Sequence, residues 1–165
     1  MGSFQIEGGH RLKGNITPQG AKNEALQILC AVLLTEEMVT ISNIPDIVDV
    51  NKLIGLLKKM GVKVTFLEKG KYAFTADAVD LNFLDTQDYK THAKQLRGSV
   101  MLVGPMLSKY GKGSIPRPGG DKIGRRRLDT HFEGLKLLGA HFHYNKEDYF
   151  YTVSADQLQG QDLLL

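Results

Sequence analysis

The stretch LIGLLKKMGVKVTF, Leu53–Phe66, decides the fold because a related stretch occurs again later in the chain. Its apolar residues recur at helical spacing up to Gly61, a glycine typical of a helix end, and a strand pattern follows. The stretch FEGLKLLGAHFHY, Phe132–Tyr144, shows the same pattern around Gly139, 78 residues further on. We therefore predict an internal repeat.

Each copy of the repeat has the order helix, strand, helix, hairpin. The first copy is predicted at Asn23–Leu34, Val39–Ile41, Leu53–Met60 and the hairpin Val62–Thr75. The second is predicted at Ala93–Leu107, Gly113–Ile115, Phe132–Leu138 and the hairpin Ala140–Val153. Repeats of this kind bury their apolar faces against each other, so we expect a shared core.

The composition is typical of a globular protein, and its cysteine content agrees with a reducing compartment. The 165 residues are 42% apolar and 24% charged, and the single cysteine, Cys30, cannot form an internal disulfide. No signal peptide precedes Lys13, and the apolar run near Ile28–Leu34 is too short to span a bilayer. We expect a cytoplasmic protein with no membrane partner.

Both ends of the chain differ from the repeats. Residues 1–20 alternate apolar and polar side chains, which predicts a strand or hairpin. The end, SADQLQGQDLLL, resembles the start of a buried strand, and repeat arrays usually need three or more units. We therefore expect a truncated domain over residues 21–165, with repeats at about 21–78 and 93–156.

The stretch RPGGDKIGRRRLDTH, Arg117–His131, concentrates positive charge. Residues Arg117–Arg127 contain five basic residues and one acid, a local charge of +4, whereas the rest of the chain carries −1. A compact cluster of this kind suits a phosphate or diphosphate better than an extended nucleic acid. If the segment is extended, Arg126 points away from Arg125 and Arg127, so one or two of the three face a ligand.

Single candidate residues allow two interpretations each. Lys22, before Asn23 at a helix start, either binds an anion or is solvated beside an asparagine cap. Arg97 either pairs with an anion or extends its charged end to water. Asp121, after two glycines, is either a solvated loop carboxylate or an acid–base group.

Asp129 or Thr130 is expected to cap the next helix, and the histidines show no metal-ligand spacing.

Three segments together resemble the UDP-N-acetylglucosamine 1-carboxyvinyltransferase family of enolpyruvyl transferases. They are GAKNEAL (Gly20–Leu26), LRGSVMLVGPML (Leu96–Leu107) and PGGDKIGRRRLDTHFEGLKLLGA (Pro118–Ala140). The resemblance implies an α/β (α+β) fold, an inside-out α/β barrel of repeated βαβαββ units, with two repeats of one domain in this chain. It also implies that residues 1–20 supply strands to a second domain. The 3-phosphoshikimate 1-carboxyvinyltransferases share the fold but usually carry GSKS where this chain has GAKN.

The resemblance implies a reaction and its residues. Members of the family transfer the enolpyruvyl group of phosphoenolpyruvate to the 3′-hydroxyl of UDP-N-acetylglucosamine and release phosphate, without a metal or cofactor, at the start of peptidoglycan synthesis. By motif, Lys22 and Asn23 would bind phosphoenolpyruvate. The residues matching the nucleotide-sugar site are Arg97, Arg126, Arg127, Leu128, Asp129 and Thr130.

Asp121 departs from the commoner family residue at its position. That residue is a cysteine, the proton donor to the phosphoenolpyruvate methylene carbon and the thiol alkylated by fosfomycin. The resemblance therefore implies that Asp121 donates the proton and that fosfomycin does not inhibit. This chain alone is expected to be inactive. The alternatives are the shikimate-pathway transferase and a non-enzymatic phosphate- or nucleic-acid-binding module.

Overall fold

The computed structural model describes residues 3–117 and 128–163. Its helices are α1 (Lys22–Ala31), α2 (Val48–Lys59), α3 (Gln87–Lys94), α4 (Val103–Tyr110) and α5 (Asp129–Leu137). Its strands are β1 (Val39–Ile41), β2 (Lys63–Glu68), β3 (Lys71–Thr75), β4 (Lys112–Pro116), β5 (His141–Asn145) and β6 (Phe150–Ser154). Short 3₁₀ helices span Val32–Leu34, Leu81–Asp85 and Arg97–Leu102.

The strands form two antiparallel sheets with the same topology. The first has the order β1-β3-β2 and the second the order β4-β6-β5, so in each sheet the last strand of the hairpin lies in the centre. Val39 pairs with Phe74 in the first sheet, and Ile115 pairs with Tyr151 in the second. The predicted internal repeat and the mixed α/β fold class are confirmed.

The helix ends that carry the repeat also match in geometry. Gly61 follows α2 with φ +99° and Gly139 follows α5 with φ +104°, a conformation that side chains rarely adopt. A methyl group on Gly61 would lie 2.2 Å from the carbonyl oxygen of Ala78, and one on Gly139 would lie 3.2 Å from that of Gln157. The chain leaving each hairpin thus passes close over the helix end before it.

One main core joins the two units. It is built from aliphatic residues of α1, α2 and α4 with a few aromatic rings, among them Leu29, Leu53, Leu57, Phe74, Tyr89, Met106 and Phe150. Tyr89 on α3 is 1% exposed, and its hydroxyl donates a hydrogen bond to the carbonyl oxygen of Ser114 on β4, at 2.5 Å. A smaller cluster around Ile115 and Val153 fills the space beneath the second sheet.

The helix predicted over Ala93–Leu107 is not continuous. Instead, α3 ends at Lys94, Leu96 takes an extended conformation, and the 3₁₀ helix follows before α4 begins. The buried Ser99 hydroxyl donates a hydrogen bond to the carbonyl oxygen of Ala93, at 2.9 Å, which ties the two segments together at the break. Pro105, which cannot donate a backbone hydrogen bond, falls within the first turn of α4, where none is needed.

The segment before α1 contains no helix or strand over its described residues 3–20. Its apolar side chains Phe4, Ile6, Leu12 and Ile16 are each at least 89% exposed. A strand requires a hydrogen-bonding partner, and no described strand pairs with these residues. The predicted strand or hairpin is therefore not found there, and the assignment of residues 1–20 to a second domain stays a prediction.

Candidate functional site

Lys22 is the first residue of α1, as the sequence predicts for a helix start. Ala21 occupies the N-cap position with extended dihedral angles, and no side chain caps the helix. The chain reaches this point past Gly20, where a methyl group would lie 1.9 Å from the carbonyl oxygen of Asn43. Only glycine allows this approach, so Gly20 fixes where α1 begins. The alternative in which Asn23 caps the helix is wrong, because Asn23 is already helical.

An ion pair joins the first turns of two helices. The ammonium of Lys22 contacts the carboxylate of Asp49, which lies in the first turn of α2. The two side chains are 49% and 37% exposed, so both remain accessible to a ligand from solvent. Sequence reasoning missed Asp49, because an acid in the first turn of a helix is common and carries no specific signal.

Arg97 lies on an element that packs against α1. It is the first residue of the 3₁₀ helix, is exposed, and precedes Gly98. A methyl group on Gly98 would lie 3.1 Å from Cδ1 of Leu26 on α1. Leu26 is one turn after Lys22 on the same helix face, so the structure brings Lys22 and Arg97 onto neighbouring elements.

The two cations also hold matching places in the repeat. Lys22 begins the helical segment before β1, and Arg97 begins the helical segment before β4. The first helical residue of that segment in each unit is thus basic, at the end of a helix where orphan N–H groups attract anions. A basic residue at a helix start is chemically suited to an anionic ligand.

The predicted nucleotide-contact segment is described from Leu128 onward. Leu128 is the N-cap residue of α5, and Asp129 and Thr130 form the exposed start of the helix. The prediction that Asp129 or Thr130 caps this helix is therefore wrong by one or two residues. The amide of Phe132 donates a hydrogen bond to the carbonyl oxygen of Leu128 at 3.0 Å, which closes the first turn after the N-cap.

The centre of the charged stretch lies outside the described residues. This applies to the predicted Asp121, Arg126 and Arg127, together with Lys122 and Arg125. Before it, the Arg117 amide donates a hydrogen bond to the Tyr149 carbonyl at 2.8 Å, and its guanidinium lies 5.9 Å from the ring centre of Tyr144. The roles assigned to Asp121, Arg126 and Arg127 stay predictions.

Other reactive groups in the described part of the chain form no second site. Cys30 is 2% exposed, and burial raises the pKa of its thiol to about 12, so the thiolate is suppressed. His131, His141 and His143 are exposed. Among the residues described, no group of three or more His, Cys, Asp and Glu could hold a metal ion. No described helix is long and apolar enough to cross a membrane.

Comparison with known proteins identifies the family. A sequence model of EPSP synthase (3-phosphoshikimate 1-carboxyvinyltransferase) matches residues 6–163. The chain belongs to this family. The EPSP synthase family consists of enolpyruvyl transferases, and the family resemblance inferred from the three motifs is confirmed.

Several relatives within the EPSP synthase family are much longer than this chain. The chain is 58% identical over all its residues to UDP-N-acetylglucosamine 1-carboxyvinyltransferase of Bacteroides fragilis, and 57% identical to that of Bacteroides thetaiotaomicron. It is 38% identical to the protein of the same name from Borreliella burgdorferi. The chain spans 38% of the length of the two Bacteroides proteins.

Solved structures support the fold. The enolpyruvyl transferase NikO from Streptomyces tendae superposes with a TM-score of 0.72 at 20% identity, over 92% of this chain and 32% of that protein. EPSP synthase from Acinetobacter baumannii superposes with a TM-score of 0.58 at 14% identity, over 90% of this chain and 33% of that protein. At these identities the likeness concerns the fold alone.

Proposed function

We propose that this chain is the N-terminal part of an enzyme that transfers the enolpyruvyl group of phosphoenolpyruvate to the 3′-hydroxyl of UDP-N-acetylglucosamine and releases phosphate. The observation that carries the proposal is the 58% identity, over the whole chain, to a transferase named for that acceptor. The reaction opens peptidoglycan synthesis, needs no cofactor, and would take place in the cytoplasm.

Two described cations support binding of the two anionic substrates. In this proposal the ammonium of Lys22 binds the phosphate of phosphoenolpyruvate, Asn23 lies beside the reacting groups, and Arg97 contacts the substrates. The packing of Gly98, next to Arg97, against Leu26 of α1 supports a site in which both charges act on substrates bound together. Phosphate groups suit such sites because backbone amides and cations reinforce each other there.

The remaining roles fall on the charged stretch. Arg126 would bridge the two substrates, and the residues from Arg127 to Thr130 would line the uridine diphosphate. Asp121 would protonate the methylene carbon of phosphoenolpyruvate, and the negative charge of bound substrate would keep its carboxyl protonated. A carboxylate cannot be alkylated as a thiolate can, so this enzyme should work in the presence of fosfomycin.

Phosphate release by the intact enzyme, the full-length protein that begins with residues 1–165 in this proposal, tests the function. We expect release from phosphoenolpyruvate only when UDP-N-acetylglucosamine is present, and at an unchanged rate with fosfomycin. Release with shikimate 3-phosphate instead would favour the shikimate-pathway reaction. Tight DNA or RNA binding at moderate salt, without turnover, would favour the non-enzymatic alternative.

A further inference from the structure

Lys22 occupies a position where a helix disfavours a cation. It is the first residue of α1, at the positive end of the helix dipole, and the one acid in the first turn of that helix is Glu24. A residue placed against its local preference usually serves a tertiary contact or a ligand. The tertiary contact that the structure shows for Lys22 is its ion pair with Asp49.

Asp49 is well placed to hold this ammonium. It lies in the first turn of α2, where the helix dipole favours a carboxylate. The neighbouring carboxylate, Asp46, accepts a hydrogen bond from the side-chain amide of Asn51 at 2.7 Å. Because the Lys22–Asp49 pair is partly exposed, it adds little to the free energy of unfolding. Its main effect is therefore on where the ammonium lies.

The backbone around the pair is fixed, which leaves the lysine stem as the mobile part. The start of α1 is fixed by the close approach of Gly20 to Asn43, and the amide of Ile44 donates a hydrogen bond to the carbonyl of Gly70 at 2.8 Å. A lysine side chain has large rotamer freedom, which a ligand alone would have to restrict. An ammonium has three donors, so one can meet Asp49 while others remain for an anion.

We propose that Asp49 is a positioning residue, which holds the ammonium of Lys22 in the place where it receives the phosphate of phosphoenolpyruvate. This inference rests on the proposed function. It separates two effects of a carboxylate near an anion site. Positioning of the lysine favours phosphate binding, whereas direct repulsion between Asp49 and the phosphate would oppose it. Removal of the carboxylate shows which effect is larger.

Steady-state kinetics of the intact enzyme test the inference. We expect Asp49→Ala to raise the KM for phosphoenolpyruvate about tenfold, the scale of lost side-chain ordering, with kcat and the KM for UDP-N-acetylglucosamine within about twofold. Asp49→Asn keeps an acceptor oxygen and should raise the KM for phosphoenolpyruvate by about threefold. If Asp49 only stabilised the fold, Asp49→Ala would instead lower the fraction of enzyme molecules that are active, and with it the apparent kcat.

The matched control is Asp77→Ala. Asp77 pairs with Lys63 at 2.7 Å and is 38% exposed, close to the 37% of Asp49. This variant should leave all three kinetic parameters unchanged. An unchanged or lower KM for phosphoenolpyruvate in Asp49→Ala overturns the inference. If Asp49→Ala does not fold, an unchanged or lower KM in Asp49→Asn overturns it instead. A wild-type enzyme with no transfer to UDP-N-acetylglucosamine would instead refute the proposed function itself.

Discussion

Cys30 shows how a single buried residue responds to its surroundings. It belongs to the main core with Leu29 and Leu33, and burial raises the pKa of its thiol from 9.0 to about 12. Burial also raises the pKa of the Tyr89 phenol above its ordinary value. The Cys30 side chain is 2% exposed in this core, so little water can stabilise its thiolate.

The raised pKa of Cys30 predicts a dependence of stability on pH. The unfolded thiol ionises near pH 9 and the folded thiol does not, so stability is fully present below pH 9 and falls as pH rises towards 12. Between pH 7 and pH 10 the wild type should lose about 1 kcal/mol more free energy of unfolding than Cys30→Ala. Urea titrations at both pH values measure the difference, and parallel losses in the two proteins would contradict it.

Some residues of the site could be predicted and others could not. Lys22 and Arg97 stand in recognisable motifs, and the structure places them on neighbouring elements. Asp49 could not be identified, because its pairing with Lys22 depends on how α1 and α2 pack. Helix propensity contains no information about such a contact between residues distant in sequence.

Among the helices and strands, the two repeated units could be predicted, but the break after α3 could not. Glycine at each helix end and alternation in each hairpin are local signals, so Gly61 and Gly139 indicated the repeat directly. The break after α3 depends on the buried hydrogen bond of Ser99 to Ala93. A tertiary bond of this kind leaves no periodic pattern in the sequence.

Two glycine substitutions are expected to change the free energy of unfolding in opposite directions. Gly20→Ala should lower the free energy of unfolding by about 1–3 kcal/mol, because its methyl group would lie 1.9 Å from the carbonyl oxygen of Asn43. Gly55→Ala, within α2, meets no atom within 4 Å and should raise it by about 0.5–1 kcal/mol. Urea unfolding compares the two. Equal effects would mean that the Gly20 contact does not constrain the helix start.

At the level of the whole molecule, two similar units share one core. Met106 and Phe150 of the second unit lie in one core with residues of the first unit such as Leu53 and Phe74, which joins the units into a single structure. The fold class follows from the repeat. The exposure of Phe4, Ile6, Leu12 and Ile16 could not be predicted, because an alternating pattern does not show whether a partner strand is present.

The length of the relatives leads to a prediction for residues 1–165 alone. The roles proposed for this chain include no general base for the acceptor hydroxyl, and the chain spans 38% of the Bacteroides fragilis protein. We therefore expect that base and several contacts to phosphoenolpyruvate to lie outside residues 1–165. Purified residues 1–165 should therefore release no phosphate from phosphoenolpyruvate and UDP-N-acetylglucosamine. If purified residues 1–165 fold, as judged by circular dichroism, and still release phosphate, the catalytic groups lie within them.

The most direct measurement compares Lys22→Ala with Lys63→Ala in the intact enzyme. Both changes remove a partly exposed lysine that pairs with an aspartate, but only Lys22 lies at the start of α1, the helix that packs against the element of Arg97. We predict that Lys22→Ala lowers kcat/KM for phosphoenolpyruvate by at least about 100-fold, as expected for loss of a charged contact to phosphate. Lys63→Ala should keep the wild-type value. Equal activity of the two variants would contradict a phosphate site at Lys22.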